Sequence, residues 1–253
     1  MRNIWIILRK EVRSYFVSPV AYVLLTGFGV FFGLVFWNYL AAFVNRGMQM
    51  SNQSFPMNIN DDLIRPLLVT ASFIGLFTIP LITMRVFAEE KRTGTIELLA
   101  TSPVLDGEII VGKWLAAMVV YGSMLLFPAV DFIFLFRYGR PDWKPMAIGF
   151  LGLLLQGGAL LSIGTFISTL SRNQIVAAFV TFVACLSLWI LDWPAGYDPA
   201  TWARVLSYMS VRIHIETFTR GVVDSKDAIY YLTLTVLGLF LTARSMESLR
   251  WRS

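Results

Sequence analysis

RVFAEEKRTGTIELLATSP, Arg85 to Pro103, is the longest polar run between two long apolar segments of this chain. Pro66 to Met84 precedes it and Gly112 to Phe136 follows it, and each is long enough to cross a bilayer. Glu89, Glu90, Lys91 and Arg92 form a charged turn, and Gly94 breaks the run. A second short piece, Thr95 to Thr101, stops before Pro103, because the residue ahead of a proline disfavours helical backbone. Gly94 and Glu97 make half of a capping box, with glycine in the cap position. Ile96, Leu98 and Leu99 point to one side of that piece and Glu97 to the other. A solvated loop has no use for such an apolar edge. A short amphipathic helix held between two crossings has one, as a docking element seated in a partner's groove.

Composition supports the membrane setting. The 253 residues are 57% hydrophobic and 15% charged, and mean hydropathy is +0.66. A soluble fold would have to hide several apolar runs of about 20 residues, and such runs read as transmembrane helices. In the bilayer core only helices and closed barrels satisfy their backbone groups. The apolar runs here are continuous, not alternating, so helices are expected over a barrel. The net charge of +5 then reads as Lys and Arg flanking membrane spans, not as a nucleic-acid surface. Cys185 and His214 are the only residues of their types and lie far apart, which leaves no zinc site and no nucleophile–base pair.

Taken in order, the chain predicts an all-α polytopic membrane protein, one transmembrane domain over 1–253. Residues 2–18 form an amphipathic interfacial helix: Ile4, Ile7, Leu8, Val12, Tyr15 and Phe16 share one side. Arg2, Arg9, Lys10, Glu11 and Arg13 take the other. Six spans follow, at 19–44, 66–84, 112–136, 145–170, 175–193 and 227–242, the last near the short limit for a crossing. Gly29 and Gly33, and Gly158 and Ser162, are small-residue pairs that permit close helix packing or dimer contact; Gly164 and Ser168 repeat the pattern. Residues 194–226, with Trp202 and Tyr208, read as short helices in or dipping into the interface. Lys113 is expected to start span three with its amine snorkelling to headgroups, and His214 to be an exposed interfacial residue.

With six spans, 12 of the 21 Lys and Arg fall on the side that carries both termini and 85–111, which places that side in the cytoplasm. Gly107 to Lys113 fits the first seven positions of a phosphate-binding GxxxxGK loop, but Trp114 stands where Ser or Thr must hold magnesium, and no strand precedes it. This argues against a nucleotide site in the chain itself. Asp131 lies inside span three and supports an alternative, an ion-coupled secondary transporter, which would also want paired inverted repeats and charges at mid-membrane.

Met84-Arg85, Phe87, Glu90-Lys91, Gly94-Thr95, Glu97-Leu98-Leu99, Pro103 and Gly112-Lys113 together resemble the permease subunits of ABC-2 type transporters. Ser168 to Ala177 and Arg220 to Asp227 are most similar to the gliding-motility-associated permeases within that group. The resemblance covers most of the chain. It implies a bacterial inner-membrane subunit, with both termini cytoplasmic, that dimerises with a second copy or a paralogue. It implies two cytosolic ATPase subunits that supply ATP and magnesium, and an auxiliary membrane protein. Carried over, 85–103 is the coupling segment, with Glu90, Lys91, Gly94, Thr95, Glu97 and Leu98 docked on the ATPase. Residues 2–18 become an elbow helix whose Arg9, Lys10 and Arg13 face the same side, and 194–226 become outward-facing re-entrant helices.

Overall fold

In the computed structural model of the chain, which describes residues 2–49, 58–95, 104–139, 141–196 and 201–250, every regular element is a helix. Ser18 separates α1 (Arg2–Val17) from α2 (Pro19–Gln49). Pro19 opens α2 at a position where its missing N–H costs nothing. A π-helical turn, Asn60–Ile64, runs into α3 (Arg65–Thr83), and α4 (Ala88–Thr93) is a separate short helix. Then come α5 (Asp106–Met124), α6 (Leu126–Tyr138), α7 (Trp143–Leu170) and α8 (Gln174–Ile190). A 3-10 turn, Trp193–Gly196, leads to α9 (Thr201–Tyr208), α10 (Val211–Thr219) and α11 (Ser225–Arg250).

Five stretches are long and apolar enough to cross a bilayer: Pro19–Gln49, Asn60–Thr93, Asp106–Tyr138, Trp143–Leu170 and Ser225–Ser248. The sixth expected span, α8, has 17 residues, a rise of about 25 Å and the lower limit for a crossing. Two boundaries differ from the sequence expectation. Segment 112–136 is not one helix: it breaks at Leu125. Pro128 has no N–H to return to Met124, and the ladder resumes with Ala129 N–H donating to the Leu125 carbonyl at 3.2 Å. The last helix is longer than the span expected from sequence: α11 has 26 residues and ends at Arg250, beyond Thr242.

α7 is the centre of the molecule and packs against α3, α5, α8, α10 and α11. Small residues on α7 let five neighbours approach. A Cβ at Gly157 would lie 2.1 Å from a ring carbon of Tyr121, and one at Gly164 would lie 2.4 Å from the Thr83 hydroxyl. Leu68, Tyr121, Phe132, Leu160, Phe218 and Tyr231 fill the continuous core around it. Gln156 is buried in that core and accepts a hydrogen bond from Ser72 at 2.5 Å. A second, smaller apolar cluster of Val86, Phe87, Ile109, Ile110 and Met246 sits at the end of the bundle where α4 begins.

Candidate functional site

The small cluster surrounds a buried cation. Lys113 on α5 is 3% exposed. Its ammonium lies 2.8 Å from the Glu90 carboxylate of α4 and 3.1 Å from that of Glu11 on α1. It also donates to the Val86 carbonyl at 3.0 Å and stands 5.3 Å above the Phe87 ring. One charge thus joins three elements. Lys113 does not snorkel to headgroups: with two carboxylates and a carbonyl inside the bundle, its charge is met there. Nor is it free for phosphate, since Gly107 to Lys113 lies within α5.

α4 is fixed from a second direction. Its first orphan donors, the N–H groups of Phe87 and Ala88, both donate to the Ser168 hydroxyl of α7, at 3.1 and 3.0 Å. Lys91 donates its ammonium to the Thr169 carbonyl. The Thr169 hydroxyl in turn donates to Ser245 of α11 at 2.7 Å. Gly94 ends α4 at φ 73°, left-handed backbone that a side chain would strain. Of the expected docking residues, Glu90 and Lys91 therefore turn inward as anchors, and the Glu90 side chain is 15% exposed. Gly94 and Thr95 are exposed. Glu97 and Leu98 lie outside the described residues.

α1 lies across the same end. Asn3, Ile7, Glu11 and Tyr15 recur every four residues and form its inward stripe. Asn3 donates to Glu108 at 2.8 Å, Ile7 packs on Gly112, where a Cβ would lie 2.8 Å from it, and Tyr15 donates to the Ile82 carbonyl at 2.9 Å. Burial, helped by the Glu11 charge, raises the Tyr15 hydroxyl above its usual pKa and keeps it a donor. Glu11 therefore belongs to the packed face, not to the basic outer one. Arg9, Lys10 and Arg13 are exposed. Arg85 completes the seam by donating to Ser18 at 2.8 Å. Sequence periodicity found α1 and placed Tyr15 on its inner side, but it put Glu11 on the outer side and did not reveal Lys113 as an ion-cluster centre or Ser168 as a cap. The fourfold spacing 3, 7, 11, 15 was the signal that could have placed Glu11.

Residues 5–242 match the family model described as ABC-2 family transporter protein. The chain belongs to the ABC-2 transporter family. It is similar to the probable multidrug ABC transporter permease YbhR of Escherichia coli strain K12, with 24% identity over 203 residues. The alignment covers 73% of this chain and 54% of that relative. The YbhR of strain O157:H7 matches to the same extent. The chain thus spans about half the length of the curated relatives it matches, and both carry a multidrug title, not a gliding-motility one.

At the opposite end of this ABC-2 family protein, the 194–226 region holds two short helices, and α10 is held by contacts to two carboxylates, Asp192 and Asp227. His214 of α10 is 1% exposed, so the exposed reading from sequence is wrong. Its Nδ1 lies 2.6 Å from Asp227 of α11, its Nε2 lies 2.8 Å from the Tyr208 carbonyl, and its ring stacks on Tyr230 at 3.9 Å. Arg212 grips Asp192 at 2.6 Å, and Ser210 donates to the same carboxylate at 3.2 Å. Phe218 packs onto Gly152 of α7, so α10 is docked into the bundle. Asp131 on α6 is half-buried and has no ion-pair partner among the described residues.

The expected packing pairs divide. A Cβ at Gly29 would lie 2.8 Å from the Phe127 ring, whereas Gly33 faces open space. Gly158 accepts from the Trp114 indole at 3.0 Å. Ser162 is buried against Gly238 of α11. Three of the four are thus engaged within the chain.

Proposed function

We propose that this chain is the membrane permease subunit of an ABC transporter. It dimerises in a bacterial inner membrane with a second copy or a paralogue, and the end bearing α1 and α4 faces the cytoplasm. Two cytosolic ATPase subunits hold ATP and magnesium and press on residues 85–103. A further membrane protein completes the assembly. The observation that carries this reading is the Lys113 joint. Glu90 cannot shift relative to Glu11 without opening a buried ion cluster, so α4, α1 and α5 move together. Ser168 and Lys91 pass the same displacement to α7. Rigid-body rocking of the bundle follows, provided the docked segment prefers one state of the ATPase pair. The segments 2–18 and 85–103 then act as elbow and coupling helices, and α8 is the sixth crossing. Glu97 and Leu98 are the contacts that reach the ATPase, with Thr95 beside them. The apolar spans and the multidrug title of the YbhR permeases support an apolar or amphiphilic cargo. Mechanical work without cargo is the variant that the gliding-motility resemblance carries.

The test is a charge exchange in the reconstituted complex. Glu90→Lys alone should uncouple ATP hydrolysis from transport, and Glu90→Lys with Lys113→Glu should restore part of the coupling. Wild-type coupling in the single Glu90→Lys variant would show that force does not pass through this joint.

A further inference from the structure

We propose an anionic phospholipid site at the end of the bundle that carries α4, between Arg92 and the α7–α8 turn. A cleft of about 450 Å³ is lined there by Arg92, Arg172, Asn173, Gln174 and Ile175. Arg92 and Arg172 are both exposed, and neither makes an ion pair among the described residues. Lys91 lies close enough to Arg172 for their charges to repel. Two guanidiniums thus line one cleft, with Lys91 near Arg172, and no carboxylate among the described residues pairs with either arginine.

Their positions are fixed by the fold. Lys91 is tied to Thr169, which holds the end of α4 against the end of α7. The turn that carries Arg172 is closed by Ser171, which donates to the Asn173 carbonyl and accepts from its N–H, each at 3.0 Å. The arginines therefore face the cleft from two anchored backbones.

The second half of the argument is apolar. Directly beyond the cleft, Ile175, Val176, Phe179, Val180 and Val183 form an exposed stripe along α8, with Phe179 66% exposed. The occupant that fits has an anionic head for two guanidiniums and an apolar tail for the stripe. Paired arginines match phosphate oxygens bidentately, and basic pockets between membrane helices recognise such headgroups. A free phosphate would leave the stripe uncovered. An apolar helix of a second copy would leave both arginines unanswered. This inference goes beyond the permease reading and holds whichever ATPase docks.

The test titrates the intact, purified chain with phosphatidylglycerol or phosphatidylcholine and reads retained lipid by native mass spectrometry. Two arginine contacts at a membrane surface correspond to a preference of roughly 30-fold for the anionic lipid. The wild type should show it, and R92Q/R172Q should lose most of it. R92K/R172K should keep part of it, and R9Q/R13Q, which alters exposed cations on α1, should keep it all. Millimolar inorganic phosphate should not displace the bound lipid. The site is refuted if the wild type has no preference or if R92Q/R172Q retains it. It is equally refuted if R9Q/R13Q loses as much, which means diffuse attraction, or if phosphate displaces the lipid.

Discussion

Lys113 shows how a buried charge is held and what its loss costs. Its ammonium separates two carboxylates that would otherwise face each other at close range inside the protein. Removing one member of a buried ion cluster costs about 3–5 kcal/mol, while replacing the whole cluster with neutral groups is often near neutral. Lys113→Met should therefore lower the thermal midpoint of the solubilised protein sharply, and Lys113→Met with Glu11→Gln and Glu90→Gln should recover most of it. At the far end, His214→Phe removes the hydrogen-bond partner of buried Asp227, whose second oxygen already lacks one, and should cost about 1–3 kcal/mol in a denaturation series. Neither cluster was legible in the sequence. Lys113 sits between Gly112 and Trp114 at the mouth of an apolar run, where snorkelling is the default, and its partner Glu11 lies 102 positions away. His214 has polar and apolar neighbours in alternation, and nothing local says that α11 will close over it.

At the scale of the element, the short helix α4 is the informative one. The sequence predicted its charged turn, its glycine joint and the helix break at Gly94, because those depend on local backbone chemistry. It did not predict which charged side chains face inward, because that is decided by α5 and α7. Gly94 has φ 73° and open space where a Cβ would go, so any effect of substitution there is backbone strain and not a clash. Gly94→Val should cost about 1–2 kcal/mol and misdirect the following segment, whereas Gly94→Asn, which tolerates left-handed backbone, should be close to wild type. ATP hydrolysis by the reconstituted complex, with and without cargo, separates the two variants. Similarly, the glycines of α7 were legible as a packing face, and the partners they admit were not.

For the whole molecule, hydropathy was a reliable guide because the bilayer leaves few options: an apolar run must pair its own backbone groups, and a helix does so. Helix breaks were less legible, since the loss of one N–H at Pro128 ends α5 without any change in hydropathy. The proposed orientation has a direct check. Cys185 is fully buried, so the native thiol is silent toward labelling. In intact cells, Thr95→Cys should resist a membrane-impermeant maleimide and react after permeabilisation, and Trp202→Cys should react from outside at once. The reverse pattern would invert the protein and remove the basis for ATPase docking.

Ser168 caps a helix that is synthesised some 80 residues before it. As the chain emerges from the ribosome, the first N–H groups of α4 lack this acceptor until the fourth long apolar segment has been made. The N-terminal cap of α4 is therefore completed late in biogenesis, after most of the helices around it. Nascent chains arrested before Ser168 should leave residues 85–95 open to protease on the cytoplasmic side, and chains arrested well beyond α7 should protect them. If α4 couples to an ATPase as proposed, that contact forms only once α7 is in place.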